Sequence, residues 1–185
     1  KNGFNLTLGK TKADMMLEQR TSSKWISTIE RGLLNAMNEK VNYLVGKPGD
    51  GYGLKLGFYD KESRISGALS FYDAYKNDSD NDNDMIWHTT ARLNYSPKFG
   101  KNQYGHFGMS YGIADYKGES ANAELQIGIH QGDKTMLADA AAGDITTWGV
   151  EAAYISGPLS VQAEYFELMA QKVMNGMDIM ASFHM

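Results

Sequence analysis

Apolar and polar residues alternate one for one along much of this chain, and that period limits its fold more than any other feature. The odd positions Phe107, Met109, Tyr111 and Ile113 face the even positions His106, Gly108, Ser110 and Gly112. The pattern returns with Trp148, Val150, Ala152 and Tyr154 against Thr147, Gly149, Glu151 and Ala153. It returns again with Val161, Ala163 and Tyr165 against Ser160, Gln162 and Glu164. A period of two puts the two sets on opposite faces of a strand. One face is apolar and rich in Tyr and Trp. The other is polar or nearly bare. This suits an all-β, transmembrane antiparallel β-barrel, with lipid outside, water inside and aromatics at the two interfaces. Phe107, Tyr111, Trp148, Tyr154 and Tyr165 are the candidate membrane-interface aromatics.

Composition excludes several alternatives. The mean hydropathy of -0.44 looks soluble, but half of each barrel strand faces water, so the average says little. No run of about 18 apolar residues exists, so no transmembrane helix is expected. The net charge of -4 has the wrong sign for a nucleic-acid partner. With no Cys there are neither disulfides nor thiolate metal sites. Lys1–Phe4 lacks a signal-peptide core, so any targeting segment is expected to have been removed.

About nine strands are predicted: Gly3–Gly9, Tyr52–Tyr59, Arg64–Asp73, Ile86–Tyr95, Tyr104–Asp115, Ala123–His130, Thr147–Ile155, Leu159–Leu168 and Met177–Met185. Residues 10–50 form a long, lumen-folded loop, in which Thr21-Ser22-Ser23-Lys24 caps a short helix reaching about Met37. Tyr75–Asp84 and Gln131–Ile145 are polar loops. Short and long connections alternate as in porins, except that counting puts the Gln131–Ile145 loop at the short-turn end. An odd strand count suits no closed bacterial barrel, and an open edge in lipid costs several kcal/mol per unpaired group. Residues 1–185 are therefore expected to be part of a single larger barrel domain.

Two blocks carry a family resemblance. The first is Trp148-Gly149-Val150-Glu151-Ala152-Ala153-Tyr154, followed by Gly157-Pro158-Leu159-Ser160-Val161-Gln162-Ala163-Glu164-Tyr165-Phe166. The second is Thr21-Ser22-Ser23-Lys24-Trp25-Ile26 with Ile29-Glu30-Arg31 and Leu34-Asn35-Ala36. Both resemble the phosphate-selective porin O/P family of Gram-negative outer membranes. The hairpin Leu93–Ile113 fits as well. The resemblance implies a sixteen-stranded homotrimeric channel in the bacterial outer membrane, in contact with lipid and lipopolysaccharide. It also implies inward-folded loops, a pore lined by Arg and Lys, and uptake of phosphate or polyphosphate. The chain departs from the family in two places. Ala123–His130 offers Glu124, Gln126 and His130 where phosphate-specific members carry an Arg-rich strand. Met15-Met16-Leu17 lies near the place of the usual Pro-Phe-Gly.

Parity points Lys55, Arg64 and Arg92 inward, and Arg20, Lys24 and Arg31 lie in or beside the segment that folds into the lumen. These six are the candidate pore-lining, anion-binding residues. Arg suits phosphate because its planar fork matches two oxygens. Inward Glu124, Glu151 and Glu164 oppose an anion path, which favours a wide pore of weak anion preference. Asp78, Asp80 and Asp82 alternate like a calcium loop, but Asn83 and Thr89 occupy the Gly and Glu positions of that motif. They are weak metal candidates on a solvated loop, and no cofactor is expected. No hydrolase elbow or phosphate-cradling glycine loop occurs, so no enzyme activity is expected. The expected function is passive diffusion of small anions or polar solutes. A non-transporting structural or adhesive barrel and a soluble carbohydrate-binding sandwich are the alternatives.

Overall fold

The computed structural model describes residues 2–10, 14–22, 24, 52–75, 85–115, 121–128, 134–142, 144–174 and 177–184. Among them the order is β1 (Gly3–Gly9), α1 (Leu17–Arg20), β2 (Gly53–Asp60), β3 (Ile65–Tyr75), β4 (Met85–Tyr95) and β5 (Lys98–Gly100). There follow β6 (Gln103–Asp115), β7 (Ala121–Gly128), β8 (Lys134–Ala142), β9 (Ile145–Ser156), β10 (Leu159–Met174) and β11 (Met177–His184). Among the described residues every element other than α1 is a strand. The strands beyond the expected nine are the three-residue β5 and β8, which forms inside the stretch read as a loop. The short helix also differs. It lies at Leu17–Arg20, so Thr21 follows it and donates from Oγ1 back to the Leu17 carbonyl at 2.8 Å. The helix expected to run towards Met37 falls outside the described residues.

The strands pair in the order β1-β2-β3-β4-β6-β9-β10-β11, with β5 on β6. Each neighbouring pair is antiparallel. β6 pairs directly with β9, while β7 and β8 pair only with each other as a second sheet. β7 and β8, which lie between β6 and β9 in the sequence, thus form a pair of their own outside the main sheet. Counting them so removes the mismatch noted above. Residues 61–64, 96–102 and 157–158 connect strands at one end of the sheet, and the long connections all leave from the other. The tightest short turn, Gly157-Pro158, has Gly157 at φ +58, where a side chain would be strained.

The register keeps each face coherent across the sheet. Leu56, Leu69, Ala91, Tyr111 and Trp148 stand opposite one another in a single row. Beside it, Phe58, Gly67, Leu93, Met109, Val150 and Tyr165 form another. Among the described residues no layer covers this face: Met109 is 58% exposed, Phe107 49% and Tyr111 46%. A contiguous apolar surface of this kind marks an interaction with something apolar. The thirteen residues of β6 extend for about 43 Å, which at the usual tilt rises about 33 Å, enough to cross an apolar band of about 25 Å.

Candidate functional site

The polar face carries rows in the same register. One runs Asn5, Gly57, Ala68, Arg92, Ser110 and Gly149. The next, towards the short turns, runs Tyr59, Ser66, Asn94, Gly108 and Glu151. Residues 14–17 lie on this face, where Met15 and Met16 are fully buried. The Arg92 guanidinium donates from Nη1 to the Met16 carbonyl at 3.1 Å, and Ser110 Oγ donates to Met16 Sδ at 3.4 Å. The segment is therefore in-folded against the polar wall.

Two charge clusters hold this arrangement. Asp14 bridges Arg20 at 2.7 Å and Lys55 at 3.2 Å, tying the in-folded segment to β2. Glu151 on β9 takes Arg92 from β4 and also meets His106 Nε2 at 2.7 Å. Arg92 Nε donates to Asn94 Oδ1 at 2.8 Å, and Ser96 Oγ lies 3.2 Å from His106 Nδ1. The side chains of Arg92 and Glu151 are 5% and 1% exposed. Charges so far from water must be paired, since a lone buried charge is strongly destabilising. Between the segment and β1–β4 is a cavity of about 370 Å³ whose charged lining residues are Asp14, Arg20, Lys55 and Arg92. Three cations and one carboxylate thus line it. Asn5 and Asn94 add amide groups that accept or donate.

Of the six candidate anion-binding residues, the structure brings Arg20, Lys55 and Arg92 to this one cavity. Lys24 is exposed and follows the in-folded segment, where its N–H donates to Ser22 Oγ at 3.5 Å. Arg64 is a correction. It sits not on a strand but in the exposed 61–64 turn at φ +58, and its carbonyl accepts the Ser96 N–H at 3.0 Å. Parity was carried one residue past the point where the strand begins. Arg31 and the acidic loop residues Asp78, Asp80 and Asp82 lie outside the described residues. Glu124 and Gln126 are on β7, which pairs with β8 in a sheet separate from the main one.

Phe107, Tyr111, Trp148, Tyr154 and Tyr165 share the apolar face, and none is buried. Trp148 and Tyr165 pack ring on ring at 5.3 Å, and Tyr154 meets Phe99 at 6.2 Å. Sequence reasoning missed Asp14, Asn94 and Met16 as structural partners, and His106 as a partner of Glu151. It also missed that Tyr72, Ala114, Ile145, Phe166 and Leu168 are buried on the polar face. A signal for these existed. Towards the long connections the alternation degrades, and apolar residues stand where parity requires polar ones.

The model of one family, phosphate-selective porin O and P, matches residues 1–181. Among curated proteins, Porin O of Pseudomonas aeruginosa strain PAO1 is 28% identical over 185 aligned residues. That match covers 89% of this chain and 40% of the relative's length.

Proposed function

The chain belongs to the phosphate-selective porin O and P family of the bacterial outer membrane, and from that premise we propose that the full-length protein is a passive channel for small anions, phosphate among them. The observation that carries this reading is the cavity beside the in-folded segment, with Arg20, Lys55 and Arg92 against Asp14. A channel needs sites strong enough to draw an ion out of water and weak enough to release it. Paired cations meet that requirement better than bare ones. Asp14 offsets Lys55 and Arg20, and Glu151 offsets Arg92, leaving three cations to two carboxylates. The resulting field favours anions mildly. Arg20, with its side chain 42% exposed, is the best placed to offer a fork to a phosphate.

On this reading the main sheet is one stretch of a closed barrel, sixteen-stranded when complete, and the full protein is a homotrimer. The apolar face with its Tyr and Trp contacts lipid, and the loops at the long-connection end meet lipopolysaccharide. The exposed apolar rows favour this over a water-soluble sandwich, which would bury Phe107 and Tyr111 between its sheets.

The test is the full-length protein in a planar bilayer under a salt gradient. A reversal potential displaced to the anion side, with chloride current reduced by added inorganic phosphate, is expected. A cation-selective reversal potential overturns the proposed role of Arg20, Lys55 and Arg92. Absence of any current supports the non-transporting barrel instead.

A further inference from the structure

Met16 stands out in the in-folded segment. Its φ of +42 lies in the left-handed region that residues other than glycine seldom adopt, yet it is fully buried. Such a conformation persists only where the surroundings over-determine it. Here they do. The Met16 carbonyl accepts from Arg92 Nη1 at 3.1 Å and from the Arg20 N–H at 3.3 Å. Met16 Sδ accepts from Ser110 Oγ at 3.4 Å. The thioether also fills space that Gly149 leaves open. A Cβ at that position would run into Met16 Sδ and lie 3.1 Å from its Cε.

Arg92, Ser110 and Gly149 are adjacent in one row across β4, β6 and β9. Three wall residues on three strands therefore converge on a single residue of the segment. We propose that this row is a seat whose fit to Met16 fixes how far the in-folded segment stands from the wall, and so sets the bore of the channel. Arg92 then contributes its charge to the field of the cavity, while its fork acts on Met16 as a positioning group and does not ligate the ion directly. Its Nε is given to Asn94, its Nη1 to Met16 and its Nη2 to Glu151, and its side chain is 5% exposed. Few donors remain for a passing anion. The nearly bare row on the polar face acquires a purpose by the same step: Gly149 is small because Met16 lies against it. This inference rests on the channel reading.

Single-channel conductance of the full-length protein in a planar bilayer tests it, in wild type, Gly149→Ala, Met16→Ala and the double variant. Restoring ordinary contact distances around a new methyl requires the Met16 sulfur to retreat by about 1–1.5 Å. That moves the segment into the lumen, so Gly149→Ala is expected to lower conductance. In the Met16→Ala background the same change is expected to have no effect, because the knob is gone. The added methyl would also approach the Tyr165 carbonyl at 2.9 Å. An equal loss in both backgrounds means that only the sheet needs the glycine, and overturns the seat. Should Gly149→Ala fail to fold, Arg92→Lys decides. It keeps the charge but loses the fork, so a positioning role predicts an altered conductance with an unchanged reversal potential. An unchanged conductance, or a change in reversal potential alone, refutes that role. Silence of the wild type in the bilayer instead overturns the channel reading itself.

Discussion

Replacing Glu151 with Gln is the sharpest electrostatic test of the wall. The amide keeps the shape of the carboxylate and an oxygen that accepts from Arg92, so packing is preserved while one negative charge is lost. Glu151 faces both Arg92 and His106, and its side chain is 1% exposed. Removing its charge leaves Arg92 uncompensated beside the cavity. For an ion passing roughly 8 Å from that guanidinium, the added interaction is about 0.5 kcal/mol at the dielectric of water and about 2 kcal/mol at an effective value near 20. These correspond to roughly 2-fold and 30-fold changes in anion occupancy, and salt near 0.15 M trims both because its screening length is about 8 Å. The expected result is a reversal potential moved further to the anion side, by more at low salt than at high salt. The assay is the salt-gradient bilayer measurement on the full-length protein. A shift towards cations, or none at low salt, would refute the claim that the Arg92–Glu151 pair contributes to the lumen field.

Three further outcomes follow from the same geometry. Lys55→Met leaves Asp14 facing Arg20 alone, so selectivity moves towards cations, and adding Asp14→Asn restores the wild-type reversal potential. Met109→Arg places a cation on the exposed apolar face, and costs about 2–4 kcal/mol of folding stability near the bilayer midplane, measured by denaturant unfolding from lipid vesicles. In water-soluble surroundings that substitution would cost almost nothing, so a null result would argue against lipid on this face. Gly157→Ala forces a side chain into φ +58 and is expected to lose about 1–2 kcal/mol in the same unfolding assay, with conductance unchanged.

The two faces were legible in the sequence because one carries apolar side chains and the other polar or very small ones. Phe107, Met109, Tyr111 and Ile113 alternate with His106, Gly108, Ser110 and Gly112, and the register carries that alternation intact across β4, β6 and β9. Strand partnership was not legible. Nothing local to Lys134–Ala142 says that it folds back on β7 while β6 skips ahead to β9. Its run of alanines has no strong period, so pattern alone does not mark it as a strand. The Arg64 error has a local cause of another kind. Parity counting assumes extended backbone, and the turn that precedes β3 breaks that assumption one residue before the strand starts.

The site itself depends on pairing, which is why it was harder to read. Arg92 and Glu151 are 59 residues apart, and β6 lies between their strands. They meet because of what occupies the intervening strand. Gly108 is directly opposite both Asn94 and Glu151, and a Cβ there would strike the Glu151 carboxylate, with Cδ only 2.7 Å away. The missing side chain opens a gap through which a guanidinium on β4 reaches a carboxylate on β9. Gly149, one row away, leaves the corresponding space for Met16. In the sequence these glycines read as a merely bare face. Once the register is known they become the openings through which the charged pair forms and the in-folded segment docks. In the proposed channel, selectivity and bore depend as much on where this wall lacks side chains as on the cations it carries.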